Sequence, residues 1–277
     1  MNRIEFIKMH GLGNDFVVID CRTGGVVPDG DSLRWIADRR RGVGFDQFLT
    51  IETALGDADA FMRIHNPDGS EAEACGNGTR CVAALLMAQS GQDTLSLETL
   101  AGVLTCTRDV GGQIAVDMGP AVLDWAAIPL ALATDSLHVD LPDAPFSDAC
   151  CVAIGNPHAV FFVADAEAVD LAIVGPALET HPMFPARANI EFVSVTGPDR
   201  LRMRVWERAA GITQACGSGA CASAVAAVRR GLTGRQVSVD LDGGTLGITW
   251  RDDGHVMMRG PTAISFTGQL DLRGMAS

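Results

Sequence analysis

The chain has 277 residues, of which 47% are hydrophobic and 20% are charged, a composition typical of a globular protein with a substantial core. Its formal net charge of −13 argues against nucleic acid or an anionic membrane surface as a partner. The N-terminus lacks the apolar core of a signal peptide, and no stretch approaches the roughly 20 apolar residues of a membrane helix. We therefore predict a cytoplasmic protein that contacts no membrane.

Strands and helices alternate along the first half of the chain. Residues 31–40 are predicted to be helical, with Asp31 or Ser32 as the N-cap. Residues 79–90 are apolar on most faces, which predicts a buried helix that ends at Gly91. Alternating hydrophobicity predicts strands and the turns between them at residues 3–8, 16–19, 42–52, 61–66 and 95–120, with a turn at Gly111 and Gly112 in the last segment.

The second half of the chain repeats this order. Short motifs recur 141 or 142 positions later: Gly13 and Asn14 as Gly155 and Asn156, residues 62–64 as 203–205, Cys75 as Cys216, residues 101–102 as 243–244, and residues 119–120 as 260–261. Several matches in one order at nearly one offset predict a duplicated α/β unit, with strands wrapped around one buried helix in each copy.

One cysteine in each unit directly precedes a glycine-rich turn that leads into a helix. The two segments read NPDGSEAEACGNGTRC at 66–81 and ACGSGAC at 215–221. At a helix N-terminus, unpaired backbone N–H groups and the helix dipole favour a thiolate, and the same groups can hold a carboxylate. We expect the duplication to bring Cys75 and Cys216 to a cleft between the two units.

Two thiols at one α-carbon could invert its configuration. One would remove the proton from one face and the other would return a proton to the opposite face, since both forms of a thiol are accessible near neutral pH. Fixed N–H donors would stabilise the charge that develops on the substrate carboxylate.

The other six cysteines and four of the six histidines receive no chemical role. Buried packing is the usual role of a lone cysteine, and we assign it to Cys21, Cys81, Cys106, Cys150, Cys151 and Cys221. No CxxC motif or close histidine pair accompanies the cysteines, so no metal site is predicted. No functional role is assigned to His10, His138, His181 and His255.

Six separated motifs carry a family resemblance: HGLGNDF, FDQ, NPDGSEAEACGNGTRC, GNPHAV, ANIEFV and WER…ACGSGAC. In this order, from about residue 9 to residue 222, they resemble the diaminopimelate epimerase family. The resemblance implies conversion of LL- to meso-diaminopimelate without a cofactor, in the biosynthesis of lysine and peptidoglycan precursors. The single lysine, Lys8, lies in a predicted strand and is a poor Schiff-base residue for pyridoxal phosphate.

The resemblance also implies an architecture and an assembly. We expect an α/β (α+β) fold of two pseudo-symmetric duplicated units, each a strongly curved, mostly antiparallel sheet or barrel around a central buried helix. The N-terminal unit would take residues 1–120 plus 263–277, and the C-terminal unit would take 121–262. A homodimer is expected.

Carried over position by position, the resemblance makes Cys75 and Cys216 the acid/base pair, assisted by His158 and Glu207. The positions that would bind substrate are Asn14, Gln47, Asn66, Gly76, Asn77, Asn156, Asn189, Glu207, Arg208, Gly217 and Ser218. Amides, an arginine and a glutamate suit a substrate with two amino-acid ends.

The sequence departs from the family pattern at a few positions. His65 stands where phenylalanine is usual, and Pro67 where a small residue is common. Ala209 replaces a glycine and Ile212 a glutamate, which affects the local support of the loop that carries Glu207 and Arg208.

Two alternatives remain at this point. Proline and hydroxyproline racemases also have paired cysteines, but histidine tends to follow their first Cys-Gly, where this chain has Asn77. A non-catalytic or redox protein is the other alternative, in which Cys75 and Cys216 would form a regulatory disulfide.

Overall fold

The computed structural model describes residues 3–25 and 27–271. Residues 1, 2, 26 and 272–277, which the sequence assigns to the N-terminal unit, lie outside the described residues. The chain divides into two compact units. The first unit combines the segment up to Val116 with the segment from Gly260 onward, and the second unit is Asp117–Arg259. No helix in these two described ranges is both long and apolar enough to cross a membrane.

The described part of the first unit contains one sheet and two helices. Its helices are α1 (Gly30–Ala37) and α2 (Gly76–Ser90), and its strands, numbered in chain order, are β1 (Arg3–Gly11), β2 (Asn14–Asp20), β3 (Gln47–Glu52), β4 (Ala60–His65), β5 (Glu71–Ala72), β6 (Thr94–Thr99), β7 (Gly102–Arg108), β8 (Ile114–Pro120, which crosses the boundary) and β18 (Ala263–Asp271). The strands pair in the order β18-β1-β2-β3-β4-β6-β7-β8. The β2–β3 and β4–β6 pairs are parallel, and the others are antiparallel.

The second unit repeats this arrangement. Its helices are α3 (Leu171–Glu179) and α4 (Gly217–Arg229), with a 3₁₀ turn at Ala166–Ala168, and its strands are β9 (Val139–Asp140), β10 (Asp148–Ala153), β11 (Pro157–Phe162), β12 (Asn189–Gly197), β13 (Arg200–Glu207), β14 (Gly211–Ile212), β15 (Gln236–Leu241), β16 (Gly244–Trp250) and β17 (His255–Gly260). The pairing order is β9-β10-β11-β12-β13-β15-β16-β17, with parallel pairs at β11–β12 and β13–β15.

Both units therefore have the same sequence of antiparallel and parallel pairs, which confirms the predicted duplication. Even the registers correspond, since Phe16 lies opposite Gln47 and His158 lies opposite Asn189, each 142 positions later. Among the described strands, no pairing joins the two ends of either sheet, so each unit is an open sheet rather than the barrel that was the alternative.

A buried helix packs on the sheet of each unit, as predicted. Helix α2 contacts β1 and β6, and helix α4 contacts β16 and β10. Residues 220–227 of α4 are all buried, and five of these eight residues are alanine, so the helix backbone can approach the strands closely.

Three predicted boundaries were wrong in detail. Helix α2 begins at Gly76 rather than residue 79, and it ends at Gly91 in the left-handed conformation, as expected. Helix α1 is capped by Asp29, whose carboxylate accepts a hydrogen bond from the Ser32 N–H at 2.9 Å, rather than by Asp31 or Ser32. The segment at 95–120 forms three strands, because a second turn follows β6.

Candidate active site

The first predicted catalytic cysteine lies where the sequence placed it, at the start of α2. Cys75 is the N-cap residue, with extended backbone at φ −152°, and its Sγ accepts a hydrogen bond from the Gly78 N–H at 3.3 Å. The side chain is half-buried. The thiol is thus next to a backbone donor at the positive end of the helix dipole, which stabilises a thiolate.

A chain of side-chain amides surrounds this helix end. The Asn77 Nδ2 group donates to Asn14 Oδ1 at 3.2 Å, and Asn14 Nδ2 donates to Asp46 Oδ2 at 3.0 Å. The buried Arg80 donates from Nη1 to Asn77 Oδ1 at 2.9 Å. Two of the predicted substrate-binding residues, Asn14 and Asn77, are therefore in direct contact and oriented by charged neighbours.

Gln47 and Asn66 form a second contact in the same unit. Gln47 Nε2 donates to Asn66 Oδ1 at 3.4 Å, and Asn66 Nδ2 donates to Ser70 Oγ at 3.1 Å. The Asn66 backbone N–H also donates to the Ser70 carbonyl at 2.8 Å, which closes the turn that precedes Cys75. Asn66 thus has both a turn-forming role and a side chain in contact with another predicted substrate residue.

The second predicted catalytic cysteine, Cys216, is the N-cap residue of α4. Its side chain is 4% exposed, and its Sγ lies 3.7 Å from Ser218 Oγ. Burial and the nearby carboxylates of Glu207 and Glu191 raise the pKa of the Cys216 thiol well above its usual value. In this unit the environment favours the protonated thiol.

Glu207 lies at the end of β13 and contacts this thiol. Its Oε1 accepts a hydrogen bond from the Thr213 hydroxyl. Desolvation raises the pKa of the Glu207 carboxyl, although hydrogen bonds from Thr213 and Cys216 oppose the shift. Glu207, Thr213 and Cys216 thus form one polar cluster.

His158 lies on β11 within a buried polar chain. Its Nδ1 is 2.6 Å from Glu191 Oε1, and its Nε2 is 2.8 Å from Asn156 Oδ1. Both His158 and Glu191 are completely buried. Glu191 was missed as a site residue, although it is part of the ANIEFV motif.

Asn189 and Arg208 are brought together in the second unit. Asn189 Nδ2 donates to the Pro157 carbonyl at 3.0 Å, and its Oδ1 accepts from the Arg208 backbone N–H at 2.9 Å. Asn189 is 2% exposed, and its two contacts join the start of β11 to the segment that follows β13. The guanidinium of Arg208 is exposed and donates from Nη1 to the Ala186 carbonyl at 3.2 Å.

The single lysine is used in a structural ion pair. Lys8 Nζ lies 2.5 Å from Asp15 Oδ2, it also donates to the Gly44 carbonyl, and the residue is 6% exposed. Within residues 3–25 and 27–271, no group of three or more His, Cys, Asp or Glu side chains is arranged to hold a metal ion.

Comparison with known proteins decides the family. A profile described as diaminopimelate epimerase matches residues 6–123 and 150–264. The diaminopimelate epimerase of Rhodospirillum centenum is 59% identical over 96% of this chain and 92% of that protein. The chain belongs to the diaminopimelate epimerase family. The diaminopimelate epimerase of Phenylobacterium zucineum, 52% identical over 96% of this chain and 97% of that protein, agrees.

Solved structures of more distant proteins share the fold of this diaminopimelate epimerase family member. A phenazine biosynthesis protein of the PhzF family from Bacillus anthracis superposes with a TM-score of 0.69 at 15% identity, over 98% of this chain and 99% of that one. A hydroxyproline epimerase from Agrobacterium vitis superposes with a TM-score of 0.68 at 17% identity, over 98% of this chain and 92% of that one. The family and the fold class expected from the six motifs are therefore confirmed.

Proposed function

We propose that Cys75 and Cys216 are the two groups that exchange protons with the α-carbon of diaminopimelate in this epimerase. Family membership makes the chain an isomerase that converts LL- to meso-diaminopimelate. The observation that carries the residue assignment is that each cysteine is the N-cap of the buried helix of its unit, at equivalent positions 141 residues apart.

In the proposed reaction, the thiolate of one cysteine removes the α-proton while the thiol of the other donates a proton to the opposite face. Either direction leaves one thiol and one thiolate, so the pair is ready for the reverse reaction. As the α-proton leaves, negative charge spreads onto the substrate carboxylate. The backbone N–H groups of Gly76, Asn77, Gly217 and Ser218, at the starts of α2 and α4, would stabilise that charge.

We assign the resting protonation states from the environments of the two cysteines. Burial, and then the nearby carboxylates of Glu207 and Glu191, raise the pKa of Cys216, which suits the thiol that donates a proton. Cys75 accepts a hydrogen bond from the Gly78 N–H and has a more exposed side chain, which suits the thiolate that removes a proton. His158 and Glu207 would assist these proton transfers.

The polar side chains of both units would bind the two amino-acid ends of the substrate. The proposed binding side chains are Asn14, Gln47, Asn66, Asn77, Asn156, Asn189, Glu207 and Arg208. Arg208 is suited to a carboxylate and Glu207 to an ammonium group. Because Asn189 already bridges Pro157 and Arg208, we assign it a share in holding the Arg208 loop as well.

We further propose that the reaction needs no pyridoxal phosphate, that the enzyme is cytoplasmic and that it forms a homodimer. The burial of Lys8 against Asp15 supports a reaction without pyridoxal phosphate, and the need to keep two thiols reduced supports a cytoplasmic location.

For the dimer, β18 exposes 56% of Ile264 and 50% of Phe266, which a second copy could cover. Sedimentation velocity should show a dimer for the wild type and a shift toward monomer for Phe266→Lys; a monomeric wild type would refute it.

The function is tested by proton NMR of the purified protein with LL-diaminopimelate in D2O, without added pyridoxal phosphate. Deuterium should appear at the α-carbon as the meso isomer forms. If LL-diaminopimelate stays inert while proline exchanges, the substrate assignment is wrong but the thiol chemistry stands. If neither exchanges with fully reduced protein, the catalytic assignment of the cysteines is wrong.

A further inference from the structure

The buried His158–Glu191 pair has apolar counterparts in the other unit. At the same offset of 142 positions the first unit has Phe16 and Leu49. All four side chains are fully buried, at 0% exposure. The duplication therefore shows the same two backbone positions once with an apolar pair and once with a charged pair.

Strand registers establish the correspondence. Glu191 lies opposite Val205 across β12–β13, and Leu49 lies opposite Ile64 across β3–β4, in equivalent antiparallel pairs. His158 and Phe16 likewise occupy equivalent positions in their parallel pairs, opposite Asn189 and Gln47.

The contacts with the helices also correspond. A methyl group placed on Gly219, in the first turn of α4, would lie 2.8 Å from Glu191 Oε1. A methyl group on the equivalent Gly78 of α2 would lie 3.1 Å from Leu49 Cδ1. Glu191 therefore lies against the helix turn that follows Cys216, where the other unit has only a leucine.

Packing alone does not require this charge. Burying a carboxylate costs free energy unless its partners compensate, and apolar residues of similar volume often replace a buried ion pair without loss of stability. The first unit forms the same local structure with Phe16 and Leu49. The carboxylate oxygen Glu191 Oε2 is buried and has no hydrogen-bond partner among the described residues, which adds to the cost. A functional reason for the pair is therefore needed.

The geometry of His158 supplies that reason. Its Nδ1 points to the Glu191 carboxylate at 2.6 Å, so the Nδ1 proton is donated to Glu191. Its Nε2 lies 2.8 Å from the amide oxygen Asn156 Oδ1, which can only accept, so Nε2 is the donor in this contact. Asn156 is half-buried and in the proposed substrate-binding set. With Nδ1 directed to Glu191, Nε2 is the ring nitrogen that faces the proposed substrate-binding set.

We propose that Glu191 is a positioning residue that fixes the Nδ1 proton of His158 and reserves Nε2 for Asn156 and the substrate. The proposal rests on the function proposed above, because it assigns Asn156 to the binding set. It also gives Glu191 a charge effect. Within this unit, the carboxylates that raise the pKa of Cys216 are Glu207 and Glu191. His158 in turn lowers the pKa of Glu207. The negative charge of Glu191 therefore favours the protonated Cys216 thiol.

Glu191→Gln tests the charge at constant shape. An amide oxygen can still accept from His158 Nδ1, but without the negative charge, so kcat/KM should fall by about tenfold or more. The pKa of Cys216 should fall as well, and the alkaline limb of the kcat/KM profile should move to lower pH. A profile that superimposes on that of the wild type would overturn the proposal, whereas a purely structural residue would leave the limb in place.

The double variant His158→Phe with Glu191→Leu reproduces the residues of the first unit. It should fold, with a melting temperature within about 5 °C of the wild type, because the other unit shows that the apolar pair fits. Its turnover should be lost. The matched control is Leu49→Met, which changes the equivalent helix contact without a charge and should keep turnover. A double variant that retains wild-type turnover would overturn the proposal.

A readout that needs no substrate completes the test. Long-range proton–nitrogen NMR of the histidine rings, with His158 assigned by the double variant, should show Nδ1 protonated in neutral solution. A ring protonated only at Nε2 would overturn the proposal by itself. If the wild type fails to epimerise diaminopimelate, the proposed function is wrong, while this NMR result still decides the role of Glu191.

Discussion

Glu179 accepts a hydrogen bond through Oε1 from the backbone N–H of Ala209, at 3.0 Å, in the loop that follows Glu207. Its other oxygen accepts from the indole N–H of Trp206 at 2.7 Å. Burial raises the pKa of the Glu179 carboxyl, but the hydrogen bonds from Trp206 and Ala209 outweigh it and the net pKa is lowered. One buried carboxylate thus holds the loop of Glu207 and Arg208.

Ala209 is held there in a strained conformation. Its φ of +61° lies in the left-handed region, which glycine adopts without cost, and glycine is the residue usual at this position in the family pattern. Ala209→Gly should therefore raise the free energy of unfolding by about 1 kcal/mol, measured by urea denaturation. The neighbour Ala210, which has no positive φ, is the control, and Ala210→Gly should destabilise slightly. A loss of stability in Ala209→Gly would contradict this account.

How far the sequence could predict the site depends on where each signal lies. The N-cap positions of Cys75 and Cys216 were predictable because a glycine-rich turn before a small-residue helix is a local pattern. Glu191 was not, because its meaning depends on His158, 33 positions away, and on the parallel register of β11 and β12. A lone glutamate in an apolar strand shows no partner in the sequence.

For the fold as well, the features that leave a local pattern in the sequence were predictable. The duplication was visible because its offset is nearly constant, and the buried helices because their residues are apolar on most faces. The predicted N-cap of α1 was wrong because Asp29, Asp31 and Ser32 are all good capping residues. Only the backbone geometry selects Asp29. Whether each sheet closes into a barrel depends on strand pairings that no local pattern specifies.

The ion pairs of Asp15 should make stability depend on pH. Burial raises the pKa of Asp15, but hydrogen bonds and charges from Arg39 and Lys8 outweigh it and lower the pKa from 3.8 to about 2. A pKa that is lower in the folded state adds stability above the unfolded pKa, and this stability is lost as pH falls toward the folded value. The expected loss between pH 5 and pH 2 from this group is about 2 kcal/mol.

Asp15→Asn should remove this dependence and also leave Lys8 buried without its carboxylate. We expect it to lower the free energy of unfolding near neutral pH by about 3 kcal/mol and to flatten the profile below pH 5. Asp31→Asn is the control, because the Asp31–Arg34 pair is exposed and should contribute at most about 0.5 kcal/mol. Equal effects of the two variants, measured by denaturant unfolding against pH, would show that the burial of Asp15 is unimportant.

Replacement of either proposed catalytic cysteine by serine should nearly abolish epimerisation. A hydroxyl is a far weaker acid than a thiol, so kcat for Cys75→Ser and for Cys216→Ser should each fall by about a thousandfold or more. Cys106→Ser tests the packing role assigned to the other cysteines. Burial raises the pKa of Cys106 to about 12, so its thiol should take no part in the reaction. Turnover near the wild-type rate by either catalytic variant would refute the role of that residue.

The two proposed catalytic thiols should differ in their reactivity with iodoacetamide. Cys75 is half-buried beside the Gly78 N–H, whereas Cys216 is 4% exposed and its pKa is raised by burial, Glu207 and Glu191. Because the thiolate is the nucleophile, Cys75 should be alkylated before Cys216 near neutral pH, as measured by peptide mass spectrometry over time.

Glu207→Gln should then accelerate alkylation at Cys216, because removal of the carboxylate charge lowers the pKa of that thiol while the amide keeps the shape. The control is Glu167→Gln, since Glu167 lies on the surface, where its carboxylate pairs with Arg202 and Arg204. The control should leave the alkylation rate at Cys216 unchanged. Faster labelling in both variants would indicate a general loosening of the unit, and no change in Glu207→Gln would show that this carboxylate does not hold the Cys216 proton.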